Sequence, residues 1–143
     1  MKQEISTPLT FLRYVLESFH IDSGYSNKKI EYMDFDIKNT TNIYFSDDKS
    51  ICKVTLKTDI ISKDEDIKTN ISLTITGFFN IECDNIDNIY GYASNGATSI
   101  LYGLIREIIY TMTAKTALPP ILIPPTFFQP MKPAGEESKK EQK

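Results

Sequence analysis

Two neighbouring segments constrain the fold most. In SICKVTLKTDII (Ser50 to Ile61), Cys52, Val54, Leu56 and Ile60 alternate with Lys53, Thr55, Lys57 and Asp59. In TNISLTITGFFNIE (Thr69 to Glu82), Ile71, Leu73, Ile75, Phe79 and Ile81 alternate with Ser72, Thr74, Thr76 and Asn80. Side chains on a strand point to opposite faces with a period of two, so each segment offers one face to a core and one to water. That pattern suits an antiparallel sheet covered on one side. The charged SKDEDIK between the two reads as a solvated hairpin loop. Gly77, inside the second segment, marks a bulge or a close approach of another part of the chain.

Upstream, Met33, Phe35 and Ile37 alternate with Asp34 and Asp36 in KKIEYMDFDI (Lys28 to Ile37), a further half-buried strand. KNTT then reads as a turn, and NIYF (Asn42 to Phe45) as a short strand before the polar turn SDDKS. LTFLRYVLESFHID (Leu9 to Asp22) is open between two readings. Thr7 and Pro8 resemble a helix start, and Phe11, Val15, Leu16 and Phe19 sit at helical spacing. The segment is also rich in strand formers, and Val15, Phe19 and Ile21 share a period-two face.

The irregular CDNIDNIYGYASNG is expected to hold a short helical turn and to end at a cap near Asn95. From Ala97 to Ala117 the period becomes helical: Ile100, Leu101, Leu104, Ile105, Ile108, Ile109 and Met112 form one stripe. The stripe can cover the sheet and is wide enough to leave part of itself for a partner chain. LPPILIPPTFF follows. Each proline lacks an N–H and pushes its predecessor toward extended geometry, so the helix ends and the chain stays extended. Such a segment is a rigid cover or an edge, not a central strand. Strands joined by short polar turns make an antiparallel meander, and the order of elements gives an α+β fold.

The chain has 143 residues and a net charge of -3, with no basic block to neutralise a phosphate backbone, so no nucleic-acid partner is expected. MKQEISTPLT has no signal-peptide pattern, and the apolar helix is too short to span a bilayer. A soluble, cytoplasmic protein without membrane insertion is expected, with Cys52 and Cys83 as reduced thiols. His20 is the single histidine and cannot build a metal site alone. Cys52 looks like a small core residue, and Glu82 and Asp84 beside Cys83 would raise its thiol pKa. KDEDIK lacks the alternating ligands of a calcium loop, and GYASNGATS lacks the Lys-Ser/Thr ending of a phosphate loop. No catalytic set, metal site or cofactor is expected, so the function should lie in a surface.

One resemblance covers most of the chain, from about Leu9 to Phe128. ILYGLIREIIYTMTAK followed by LPPILIPPTFF resembles the signature region of the SecB family of export chaperones, with Arg106–Glu107, the aliphatic stripe and the paired prolines in place. GFFNI (Gly77 to Ile81) resembles the close of the family's last strand. The resemblance implies a four-stranded antiparallel sheet followed by one long helix, and it favours a strand over Leu12 to Asp22. It implies an ATP-independent holdase that binds unfolded or extended apolar protein segments. It also implies a homo-oligomer, a dimer of dimers paired through the long helix. The interface candidates are then Leu101, Ile105, Ile108, Ile109 and Met112. The client-binding candidates are the aromatics Tyr14, Phe19, Tyr32, Tyr44, Phe45, Phe78, Phe127 and Phe128.

Two departures qualify that expectation. The helix reads YGLIRE, with Gly103 near its first turn, and no second helix is evident after Phe128. The charged tail holds four Lys and three Glu, so it does not look like a strongly charged dock for the SecA motor. SecB-like proteins also occur as dedicated chaperones beside toxin–antitoxin pairs, where an antitoxin is the client. A scaffold module binding one folded partner is a further alternative. The expected layout is an N-terminal extension over 1–8, one domain over 9–128 and a disordered tail over 129–143.

Overall fold

A computed structural model describes residues 9–23, 34–63, 68–82, 86–116 and 118–124. The extension 1–8, the tail 129–143 and the candidates Tyr32, Cys83, Phe127 and Phe128 lie outside them. Four strands form one antiparallel sheet: β1 (Leu9–Ser23), β2 (Phe35–Phe45), β3 (Ile51–Ser62) and β4 (Thr69–Ile81). Their order is β1-β4-β3-β2. Strands β2 to β4 make the expected meander. β1 instead crosses to lie beside β4, so β1 and β2 are the two edges.

β1 is a strand throughout, and its register explains the double reading of its sequence. Leu9 and Phe11 pair with Ile81 and Phe79, Tyr14 and Leu16 with Gly77 and Ile75, and Phe19 and Ile21 with Leu73 and Ile71. The register slips once between Phe11 and Arg13 and again between Leu16 and Ser18. Each bulge inserts one residue and restores the inward face. Inward residues are therefore spaced two, three, two, three, two, which imitates a helix as well as a strand. Val15 pairs with Thr76 on the opposite face and does not join Phe19 and Ile21.

β2 runs unbroken through KNTT, where a turn was expected. Asn39 and Thr41 occupy inward positions of the alternation that Phe35, Ile37, Ile43 and Phe45 continue. An edge strand tolerates polar inward residues because its rim is wet. Asn39 Oδ1 also accepts a hydrogen bond of 2.7 Å from the buried Thr58 hydroxyl.

Helix α1 (Ile86–Gly91) passes through a π-helical stretch (Tyr92–Ala97) into α2 (Thr98–Thr113). Gly91, Ala97 and Thr98 all have right-handed helical dihedrals, so the chain is not capped near Asn95. Ile89, Ala93, Ala97, Leu101, Ile105, Ile109 and Thr113 are buried at every fourth position. Four residues of an ideal α-helix over-rotate by about 40°. The wider π turn takes back part of that drift and keeps the small residues Ala93 and Ala97 against the sheet.

α2 lies over β3 and β4, where Leu101, Ile105 and Ile109 are fully buried with Val54, Leu56, Leu73, Ile75 and Phe79. Gly77 makes that approach possible. A Cβ there would stand 2.7 Å from Leu101 Cδ2 and 2.8 Å from the Phe79 ring. The glycine thus marks a close approach by a helix side chain, while the bulges belong to β1.

The segment after α2 uses its three aliphatic residues alternately. Ile121 and Ile123 are buried in the core, and Leu122 between them is 67% exposed. The Ile121 N–H donates to Thr113 Oγ1 at 2.8 Å. Arg106 Nε donates to the Ile123 carbonyl at 2.8 Å, and the Tyr102 hydroxyl to the Pro124 carbonyl at 2.7 Å. The flanking prolines keep the backbone extended, and helix side chains satisfy carbonyls that no strand can reach. Among the described residues no helix is long and apolar enough to cross a membrane.

Candidate functional site: an apolar groove beside an edge strand

α2 covers the centre of the sheet and leaves the inward face of β1 open. Phe11, Tyr14 and Leu16 point to the helix side and remain 38%, 46% and 43% exposed. Opposite them, the flank of α2 presents the half-buried Leu104, Ile108 and Met112. The hollow between has a volume of about 240 Å³ and is lined by Tyr14, Leu104, Glu107, Ile108, Thr111 and Met112. Its floor is tied to the core. The Phe11 ring meets the buried Phe79 edge-on at 5.3 Å and stacks on Tyr14 at 6.2 Å. An open hollow of this size suits the side chains of a peptide better than an enclosed small ligand.

The groove lies along a sheet edge. β1 is 15 residues long and, among the described residues, pairs on one side only, with β4. Its other side presents backbone N–H and C=O groups to which an extended segment can add as a strand. A free strand edge and an apolar trough therefore lie together. On the other flank of α2 a more open hollow of about 390 Å³ is lined by Gly103, Arg106, Glu107, Tyr110 and Leu122.

The structure separates the sequence-derived aromatic candidates. Tyr14 lines the groove. Phe19 and Phe45 also face the helix side but pack against the core, Phe45 with its ring edge-on to Tyr90 at 5.0 Å. Tyr44 and Phe78 point out of the opposite face of the sheet. Phe78 is covered there by the Arg13 guanidinium, 4.5 Å from the ring centroid. These residues do not form one surface.

The interface candidates divide as well. Leu101, Ile105 and Ile109 are 0% exposed inside their own chain and have no surface left for a second copy. They are core residues, because the stripe's central row is consumed by β3 and β4. Ile108 and Met112 remain partly exposed, with Ile100 and Tyr110 further out on the same helix. Sequence reasoning missed Phe11 and Leu16 as groove residues. The signal was the two-three-two spacing, legible only once bulges are allowed.

The described residues offer little to covalent chemistry. Cys52 is fully buried, and burial pushes its thiol up to about 12. Burial also raises the Tyr102 hydroxyl, against the opposing charge of Arg106. Among the described residues no group of His, Cys, Asp and Glu could hold a metal ion.

No family model matches the sequence. An uncharacterized protein of Methanocaldococcus jannaschii is 32% identical over 71 residues, 50% of this chain and 46% of that protein. The match thus spans about half the length of that curated relative. Among solved structures, a SecB-like chaperone of Mycobacterium tuberculosis in complex with a ChAD peptide from an antitoxin superposes with a TM-score of 0.70. The superposition covers 87% of this chain and 94% of the chaperone at 16% identity. A protein of unknown function from Streptococcus agalactiae superposes with a TM-score of 0.50 over 84% of this chain and 99% of that one, at 11% identity. The chain therefore has the SecB-like fold, a four-stranded antiparallel sheet followed by one long helix. At these identities the likeness establishes the fold.

Proposed function

We propose that this protein is an ATP-independent chaperone that holds extended apolar segments of other proteins in the groove between β1 and α2. The observation that carries the reading is the coincidence of an open apolar trough with a free strand edge. Phe11, Tyr14, Leu16, Leu104, Ile108 and Met112 supply contact area, and the outer edge of β1 supplies main-chain hydrogen bonds. Main-chain bonding is independent of client sequence, and apolar side chains in a shallow trough discriminate weakly, which suits unfolded clients. Exposed apolar surface of this kind is costly to keep in solution unless it is used. The SecB-like fold supports the same reading, and the antitoxin peptide held by the M. tuberculosis chaperone favours one dedicated client of similar character. A homo-oligomer built on this fold would draw on the exposed Ile100 and Tyr110 and leave Ile108 and Met112 to the groove.

The test is a titration of the protein into a chemically unfolded, aggregation-prone substrate, followed by light scattering without nucleotide. Suppression at a near-stoichiometric ratio supports the holdase. Unchanged scattering at large excess, both with general substrates and with an antitoxin-tail peptide, would remove it.

A further inference from the structure

The two edges of the sheet are built differently. β1 carries two bulges, which interrupt its outer ladder, so a strand can add to it only in short runs. β2 has none: its register runs without a shift from Phe35 opposite Ser62 to Phe45 opposite Cys52. Its 11 residues contain no proline, and its outer edge has no partner among the described residues. Of the usual devices that keep an edge from pairing, β2 has only the outward charges of Asp36 and Lys38.

The ends of β2 fix the direction of its main-chain groups. The Asp34 carbonyl accepts from the Lys63 N–H and the Ser46 N–H donates to the Ile51 carbonyl, both at 2.9 Å. Such groups alternate between the two sides of a strand. The even-numbered residues therefore bond to β3. Phe35, Ile37, Asn39, Thr41, Ile43 and Phe45 aim their N–H and C=O groups at the free edge. The same residues turn half-buried side chains to the helix side.

This set of residues reads almost the same in reverse. In FDIKNTTNIYF, an antiparallel copy turned about Thr40 sets Phe35 against the partner's Phe45, Ile37 against the partner's Ile43 and Asn39 against the partner's Thr41. Odd-numbered residues meet only odd-numbered ones in this register, so each edge-facing N–H and C=O finds a partner. The apolar ends close on one another, and the two polar residues meet between them. Charge is complementary on the outward face. Asp36 comes opposite the partner's Tyr44, and within each chain Lys53 Nζ lies 5.5 Å from the centroid of that ring. Lys38 comes opposite the partner's Asn42, and Thr40 faces its own copy, so no like charges oppose.

We propose that β2 is the seam of a two-fold dimer, pairing with β2 of a second copy about Thr40 so that two sheets become one. A two-fold contact is self-complementary and closes, whereas joining β2 to the partner's β1 would be heterologous and run on as a ring or filament. The seam lies at the edge away from β1 and uses neither Ile100 nor Tyr110. It therefore leaves the groove of each copy open and the outer side of α2 free for a separate contact.

The experiment is sedimentation velocity on the full-length protein, with substitutions at Thr40, whose side chain is exposed within its own chain. Thr40→Glu sets two carboxylates face to face across the two-fold and should halve the mass of the parent assembly at the same protein concentration. Mixing Thr40→Glu with Thr40→Lys chains should restore that mass, since opposite charges then meet. Both variants should keep the parent's melting temperature, because the substituted site is on the surface of the single chain. A second measurement uses a Cys83→Ser background. Residues facing each other in a non-hydrogen-bonded pair stand about 4.5 Å apart at Cα, within reach of a disulfide. Thr40→Cys should therefore link two chains under mild oxidation. Lys38→Cys, set against Asn42 and not against itself, should not. A parent that sediments as a monomer, a Thr40→Glu protein of unchanged mass, or equal linking by Lys38→Cys would overturn the proposal.

Discussion

Ile105 and Ile108 stand three residues apart on α2 and should respond oppositely to the same substitution. Ile105 is 0% exposed beneath the helix, whereas Ile108 lines the groove and is half-buried. Ile105→Asp removes a fully buried side chain, a loss of about 1.5–3 kcal/mol. It also places a carboxyl where its charged form has no solvent. Keeping that group neutral at pH 7 costs about 4 kcal/mol, at 1.36 kcal/mol per unit over roughly three units above its ordinary value. An unpaired hydroxyl and carbonyl add about 1–3 kcal/mol. The sum, roughly 6–10 kcal/mol, matches the whole stability of a typical domain. Ile105→Asp should therefore unfold the protein. Ile108→Asp forfeits about half of one side chain's burial, about 1 kcal/mol, and its carboxylate stays in water. Urea melts followed by circular dichroism, beside light-scattering assays of aggregation suppression, measure both effects. Ile108→Asp should keep a cooperative melt and lose most of its suppression. An Ile108→Asp protein that melts like Ile105→Asp, or that suppresses like the parent, would refute the division of the helix into a core row and a groove row.

Gly77→Ala should destabilise by about 1–2 kcal/mol, since Leu101 and Phe79 are both fully buried and must shift to admit the methyl; a neutral or stabilising result in urea would contradict the close approach. Thr113→Val leaves the Ile121 N–H without its acceptor and should cost about 1–3 kcal/mol, with faster hydrogen exchange at Ile121 as the specific readout. Cys52, with its thiol raised to about 12 by burial, should resist iodoacetamide at pH 8 until urea unfolds the chain, as peptide mapping would show. Asp48 accepts hydrogen bonds from Ser46 and Ser50, which lower it from 3.8 to about 2. A depressed carboxylate stabilises above its unfolded value, so the 46–51 turn should hold above about pH 4 and loosen as the pH falls through 2, visible in the Ser50 amide shift.

The regular half of the fold was legible because burial there follows one period. β3 and β4 alternate cleanly, and every residue read as inward on them is buried. Legibility failed where geometry changes phase. The two bulges of β1 shift its inward face by one residue each, so Val15, an even number of residues from Phe19, nevertheless faces the other way. At KNTT the inward positions of an edge strand hold polar residues, so residue type stopped reporting side-chain direction. In the helix, the stripe revealed which residues are apolar. It did not reveal that the sheet consumes Leu101, Ile105 and Ile109 and leaves Ile108 and Met112 at the surface. Resemblance supplied four strands and one long helix, the crossing of β1 to β4 came only with the structure, and packing alone divided core from groove.

The most direct test of the groove is photo-crosslinking with a benzoylphenylalanine placed at Tyr14 or, separately, at Tyr44, in the presence of an unfolded apolar client. The two positions lie on opposite faces of the sheet and are comparably exposed, at 46% and 56%. The account predicts strong crosslinks from Tyr14, competed by excess unlabelled client, and none above background from Tyr44. Crosslinks from Tyr44 with Tyr14 silent would place the client on the wrong face and contradict it.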